Sequence, residues 1–420
     1  MEKHFSKYFK KHTVLSKQAM VNSDVKVVIP VFLEEEHLFT TINSLKNAAK
    51  ECKAVIELIL VFNYAANADG VTIARQLKLT KEVEEAKDDT ETDHFKITIL
   101  KAFEITPKHA GVGYARKVGM DYASKAFAEN NCGDRLIASL DADCLVALNY
   151  FTALLDAFKR MKLKGCTIYF EHPLKGEYHA TIYEAIAEYE LHLRYYIQAL
   201  HFAGFPYAYH TVGSCFAITA NAYVKAGGMP RKQAGEDFYF LQKVIPQGAF
   251  KAISNTTVQP SSRPSDRVPF GTGPSINKLV ESGDEYLTYN LQAFIDLKAF
   301  FSIKEKLYKI DPVDIEDCLT DLSGRMRSYL LNSDFFDALK PINDNCNSLQ
   351  VFNKRFYEVF NAFRVVKYLN YTHTHFIEKT PVFEAALQLL EVLQGEEPDV
   401  LDTSELLLLY RKIEKENLTF

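Results

Sequence analysis

The clearest chemistry in this chain sits in one run, Arg135-Leu136-Ile137-Ala138-Ser139-Leu140-Asp141-Ala142-Asp143-Cys144. An apolar stretch of strand character ends in two aspartates one residue apart. A buried carboxylate is costly unless it is paired or bound to metal. Mg²⁺ takes one or two carboxylates and completes its shell with substrate phosphate oxygens. Asp141 and Asp143 at a strand end therefore suit a divalent cation and a nucleotide diphosphate. The same tripeptide could equally be a turn, because Asp favours turns and caps, so the rest of the chain must decide.

Three further groups bear on that choice. Glu236-Asp237 stands well downstream, at the start of a helical pattern. Gly111-Val112-Gly113-Tyr114-Ala115-Arg116 leads into another helix and offers Arg116 for phosphates, which Arg binds through charge-assisted hydrogen bonds. The loop Pro260 to Pro274, dense in Pro, Ser, Gly and Arg, carries Arg263 and Arg267 and could close over a diphosphate. Taken singly, each has a plainer reading: acids cap helix N-termini, and arginines decorate surfaces. Their order relative to Asp141 and Asp143 favours a site. His210, just before a strand at Thr211, is read as structural and left out of the metal ligands.

The elements that must position these residues follow from hydrophobic periodicity. Val25 to Val31 reads as a buried strand, followed by Glu34-Glu35-Glu36 and a helix through Leu38, Ile42, Leu45 and Ala49. Glu57 to Phe62 is a second strand ending at Asn63, and Ala68 to Leu77 is helical. The acidic stretch Lys81 to Asp93 reads as a solvated loop or frayed helix. Phe95 to Leu100 is a third strand, and Leu136 to Leu140 a fourth. Strands and helices alternate, which predicts a largely parallel, three-layer α/β sheet. Ligands of such sheets sit at the carboxyl ends of the strands, where Asp141 and Asp143 fall. A long amphipathic helix through Ile182, Ile186, Tyr189, Leu193, Tyr196 and Leu200 is expected within the same domain. From about Glu281 strand signals stop and helical patterns continue to the end. The expected division is an extension over 1–24, an α/β domain over 25–275 and a helical region over 276–420.

The totals narrow the function classes. The net charge of −5 argues against a general nucleic-acid binder, which carries a basic face. No apolar run is long enough to span a membrane. Seven cysteines occur without a CxxC pair, and residues 1–24 lack the apolar core of a secretion signal, so a cytoplasmic location with reduced thiols is expected. The lysines Lys3, Lys7, Lys10 and Lys11 could touch anionic lipid at the inner membrane face, but a solvated tail is the plainer expectation.

In order, these motifs resemble the family 2 glycosyltransferases of the GT-A fold, of the bacterial, non-processive type. Val25 to Glu35 is similar to that family's opening strand, Gly111 to Arg116 to its Gly-x-x-x-Ala-Arg stretch, and Leu140 to Asp143 to its Asp-x-Asp strand end. Gly213 to Gly228 resembles its acceptor-side segment, and Glu236-Asp237 its Glu-Asp motif. The resemblance covers about residues 25 to 260. It implies a Rossmann-like, mixed and mostly parallel sheet flanked by helices, with the C-terminal helical region unexplained. It also implies a nucleotide-sugar donor, Mg²⁺ or Mn²⁺, and transfer of one sugar to a carbohydrate, lipid-linked or small-molecule acceptor. Asp143 would bind the metal, and Asp141 the metal, the ribose or both. Pro30, Glu34, Asn63, Arg116, Arg263 and Arg267 would lie on the donor side. Asp237 would be the base, with Glu236 orienting it or the acceptor, and a single base implies inversion. Two departures stand out: Asn63 replaces the acids that often read the nucleotide base, and the Gln-x-x-Arg-Trp motif of processive synthases is absent, the chain having no Trp.

Two other readings compete. A haloacid-dehalogenase-like phosphatase also uses Asp-x-Asp after a strand, but wants Thr or Val two residues beyond, where Leu145 stands, and expects the pair near the start of its domain. A non-catalytic GT-A-like scaffold would tolerate loss of Asp143. A nucleotidylyltransferase is disfavoured, because Val25 to Glu35 contains no glycine.

Overall fold

A computed structural model describes residues 2–15, 20–265, 271–396 and 398–416. The chain divides into two compact units: one of residues 1–186, 209–278 and 414–417, the other of 187–208, 279–413 and 418–420.

The first unit is built on one eight-stranded sheet. Its elements are α1 (Glu2–Phe9), β1 (Val25–Val31), α2 (Leu38–Lys50), β2 (Ile56–Ala65), α3 (Gly70–Thr90), β3 (Phe95–Ile105), α4 (Val112–Glu129), β4 (Leu136–Ser139), β5 (Leu145–Val146), α5 (Tyr150–Met161) and β6 (Gly165–Phe170). They continue with α6 (Ala180–Phe202), which runs on into the second unit, then β7 (Phe216–Thr219), α7 (Ala220–Lys225), α8 (Glu236–Val244), β8 (Phe250–Gln259) and α9 (Thr272–Ser282). The strand order is β3-β2-β1-β4-β7-β6-β8-β5. Neighbours β1–β2, β2–β3, β1–β4 and β6–β8 run parallel, and β4–β7, β6–β7 and β5–β8 antiparallel. The sheet is thus mixed and mostly parallel, with helices flanking it, as expected.

Central strands β1, β2 and β4 are near-continuous apolar runs because both faces are covered. From β1 the chain moves outward through β2 to β3, then returns to place β4 on the other side of β1. The order therefore reverses between β1 and β4, and it is outside the carboxyl ends of strands at such a reversal that ligands of open α/β sheets bind. Asp141 and Asp143 leave β4 there, and Glu34 leaves β1.

Two local expectations are corrected. The acidic stretch is ordered helix, since α3 continues to Thr90. Ion pairs at i,i+4 support it, Lys78–Glu82 at 3.7 Å and Lys81–Glu85 at 3.5 Å, and Lys101 of the edge strand reaches Glu84 at 2.7 Å. The N-terminal segment is no solvated tail. Phe5 and Tyr8 of α1 are buried, Tyr8 donates to Asp121 at 2.7 Å, and Gly228 leaves the space that the Tyr8 hydroxyl fills. Its lysines Lys3, Lys7 and Lys10 stay exposed. By compactness the second unit takes up after Lys278 and also includes residues 187–208. The second half of α6 belongs with the helical unit, where Tyr195 packs edge-on against Phe294 and Tyr196 lies near Tyr289. A buried cluster in that unit, Glu190 with Arg194 and Arg411, ties the same stretch to the C-terminal helix Thr403–Lys415.

Candidate active site

The turn after β4 is held from α2. Thr41 Oγ1 donates to the Ala142 carbonyl at 2.9 Å, and Ser44 Oγ accepts the Val146 N–H at 2.9 Å. The Asp-Ala-Asp segment is therefore a turn as well as a strand end, and both carboxylates project from a pinned backbone. Asp143 keeps 19% of its side chain accessible and Asp141 keeps 41%.

Arg116, in the first turns of α4, is buried and bonds to both Asp141 and Glu236. It is no surface residue. Glycines make this packing possible: a Cβ on Gly213 would fall 2.8 Å from the guanidinium, and one on Gly113 would fall 2.3 Å from the Lys232 carbonyl and 2.9 Å from Glu236 Cβ. The start of α4 thus lies against the start of α8, which Gly235 opens with a left-handed φ of 69°. Glu236 is buried, and Asp237 is half-buried and accepts the Phe238 N–H at 2.7 Å. Burial, reinforced by Asp237 and opposed by Arg116, pushes the Glu236 carboxyl up to about 7. Burial also raises Asp237, again against the pull of Arg116.

Arg263 follows β8, whose end pairs with β5 just beyond Asp143. Ser262 anchors this segment by donating to the Pro173 carbonyl at 2.8 Å. From there Arg263 Nε reaches Asp143 at 2.9 Å and an Nη reaches Glu34 at 2.7 Å. Glu34 is buried, and burial followed by Asp143 pushes its carboxyl up to about 9 despite Arg263. Burial and Asp143 raise Asp141 as well, against Arg116.

Pro30 lies near the end of β1 opposite Val61, half-buried. Asn63 is buried, and its amide donates to the Val31 carbonyl at 3.2 Å. His210 meets Glu414 at 3.0 Å and packs edge-on against Phe170. Arg267 lies outside the described residues. The structure thus forms two ion-pair groups, Glu34–Arg263–Asp143 and Asp141–Arg116–Glu236, joined through the Asp141-Ala142-Asp143 turn, with Asp237 next to Glu236 in sequence. Thr41 and Ser44 carry no signal in the sequence, since each is a polar residue at a helical position.

Among the described residues, no group of three His, Cys, Asp or Glu side chains is arranged to hold a metal ion. The donor set fits a cation that needs only two protein carboxylates. Five acids, Glu34, Asp141, Asp143, Glu236 and Asp237, share two arginines, and burial in this crowd raises the carboxyls of Glu34, Asp141, Glu236 and Asp237, so a divalent cation would supply positive charge that the cluster lacks.

No family model matches the chain, and no curated protein matches it. Among solved structures it is similar to S. aureus TarS 1–349 in complex with UDP-GlcNAc, at 12% identity and a TM-score of 0.40, covering 81% of this chain and 91% of that one. It is also similar to the mannosyltransferase PcManGT from Pyrobaculum calidifontis in complex with GDP-Man and Mn²⁺, at 12% identity and a TM-score of 0.35, covering 93% of each chain. Likenesses of this strength do not bear on function; the residues of the site do.

Proposed function

We propose that the chain is a family 2 glycosyltransferase of the GT-A type that moves one sugar from a nucleoside-diphosphate donor to an acceptor hydroxyl, with inversion. The observation that carries this reading is Arg116. One buried guanidinium touches Asp141 at the β4 exit and Glu236 beside Asp237, so the carboxylate pair and the candidate base share one site.

The donor diphosphate belongs at the β4 exit, with Arg263 at hand for its oxygens and Pro30 and Asn63 on the nucleoside side. Mg²⁺ or Mn²⁺ held by Asp143 and Asp141 would neutralise charge on the diphosphate. In the transfer, the acceptor oxygen bonds to the anomeric carbon as the carbon–oxygen bond to the diphosphate breaks. The hydroxyl proton passes to Asp237, whose raised pKa favours taking it. Glu236, fixed by Arg116, orients the base. Engagement of Asp141 by Arg116 counts against the phosphatase reading, which needs that residue as an open nucleophile.

The acceptor is a hydroxyl of a carbohydrate, a lipid-linked sugar or a small molecule, and the protein works in the cytoplasm. The exposed Lys3, Lys7, Lys10 and Lys11 supply a basic surface for peripheral contact with anionic lipid. No helix among the described residues is long and apolar enough to cross a membrane. The deciding experiment is a thermal-shift screen of nucleotide sugars with Mg²⁺ or Mn²⁺, followed by donor hydrolysis on the hits. At least one donor should raise the melting temperature in a cation-dependent way. Phosphate release from phosphomonoesters with no nucleotide-sugar binding would overturn the assignment.

A further inference from the structure

The turn that carries the chain out of β1 is closed by a side chain from another helix. Between Val31 and Glu34 the backbone passes through Leu33, whose φ of 54° lies in the left-handed region that a leucine rarely adopts. Gln76 of α3 spans this turn. Its Nε2 donates to the Val31 carbonyl at 2.6 Å, and its Oε1 accepts the Leu33 N–H at 3.0 Å. Asn63 adds a second donor to the same carbonyl at 3.2 Å. Gln76 is fully buried. A buried amide is tolerated only when its polar ends are bonded, and here both are bonded to the backbone of a single turn. The next residue is Glu34, which meets Arg263, and Arg263 in turn meets Asp143.

We propose that Gln76 is a positioning residue of the donor side: by closing both ends of the Val31–Leu33 turn it fixes where Glu34 meets Arg263, and through Arg263 the approach to Asp143. This rests on the glycosyltransferase reading. Nothing in α3's sequence marks it, because one glutamine in an amphipathic helix looks like any solvated polar residue.

The test uses the full chain with Gln76→Met, which keeps the side chain's length and removes both polar ends. Amide hydrogen exchange at Leu33 and Glu34 should quicken about tenfold relative to the rest of β1, the worth of one or two hydrogen bonds. Affinity for UDP or GDP in the presence of Mn²⁺, read by calorimetry, should fall about tenfold by the same arithmetic. A second variant separates positioning from stability. Leu33→Gly in the Gln76→Met background relieves the left-handed strain and should recover melting temperature while nucleotide affinity stays low. If affinity recovers together with stability, the positioning role is overturned. Unchanged exchange at the turn, or unchanged affinity in Gln76→Met, overturns it as well. Wild-type protein that binds no member of a panel of nucleoside diphosphates with Mn²⁺, UDP and GDP included, overturns the glycosyltransferase reading and the donor role together, which is a distinguishable result.

Discussion

The two ends of strands β1 and β2 treat buried charge in opposite ways. At the starting end, Lys26 and Glu57 pair directly across the two strands. Glu57 also accepts from Thr98 at 2.6 Å and from Ser23 and Tyr122 at 3.3 Å each, and Lys26 donates to the Val21 carbonyl at 2.9 Å. One acid meets one base, with hydroxyls around them. At the finishing end, five acids share Arg116 and Arg263, and two of the carboxyls are driven up to about 7 and about 9. A buried pair with all its hydrogen bonds made is compatible with a purely structural role. A cluster left short of positive charge holds a strain that a ligand can relieve, and perturbed carboxyls gather at functional sites for that reason.

The contrast breaks most sharply on stability. Glu57→Ala leaves Lys26 buried and unpaired, and should cost about 3–5 kcal/mol in denaturant unfolding. Glu34→Gln removes an acid from the crowded end and should instead raise the melting temperature at pH 8 without cation, while donor turnover falls. If both substitutions destabilise alike, the two ends do not differ in kind. A smaller effect, confined to chemistry, is expected at the base. Asp237→Asn should lower turnover by about 10²-fold, with donor affinity nearly unchanged in a binding titration. Unchanged turnover would remove Asp237 from that role and favour a non-catalytic scaffold.

Some of this was legible from residues alone. The runs at Val25 and Leu136 are apolar and β-branched, end in acids, and alternate with helices, so sheet, strand ends and the Asp pair could be read from period and punctuation. Arg116 could be named but not placed, because one-dimensional spacing does not say which side of α4 faces the β4 exit. Thr41, Ser44 and Gln76 were invisible for a related reason. Each bonds to backbone distant in sequence, and a polar residue in a helix resembles a solvated one. The acidic half of α3 was misread because charge density alone does not separate a loop from a helix laced by i,i+4 pairs. The aromatic half of α6 groups with the helical unit, and its periodicity does not reveal this because its partners lie at about residues 286–294.

The smallest expected effect is a linkage between cation and pH. A carboxyl whose pKa is raised on folding binds its proton more tightly in the folded chain than in the unfolded one. Stability therefore falls as pH rises from the ordinary value of 4.5 to the folded value, about 7 for Glu236 and about 9 for Glu34. Below that window neither group contributes; above it the full penalty is present. On the proposed reading a divalent cation would compete with those protons for the ionised cluster, so Mn²⁺ should stabilise the chain more at pH 8.5 than at pH 6, by about 1.4 kcal/mol at tenfold excess over its Kd. The Lys26–Glu57 end offers no such competition, and Glu57→Gln, if it folds, should leave the cation effect intact. Asp143→Asn should abolish it. Melting curves across this pH range, with and without Mn²⁺, measure all three. A cation effect that ignores pH, or that survives Asp143→Asn, would place the ion elsewhere and make the crowded end a structural cluster after all.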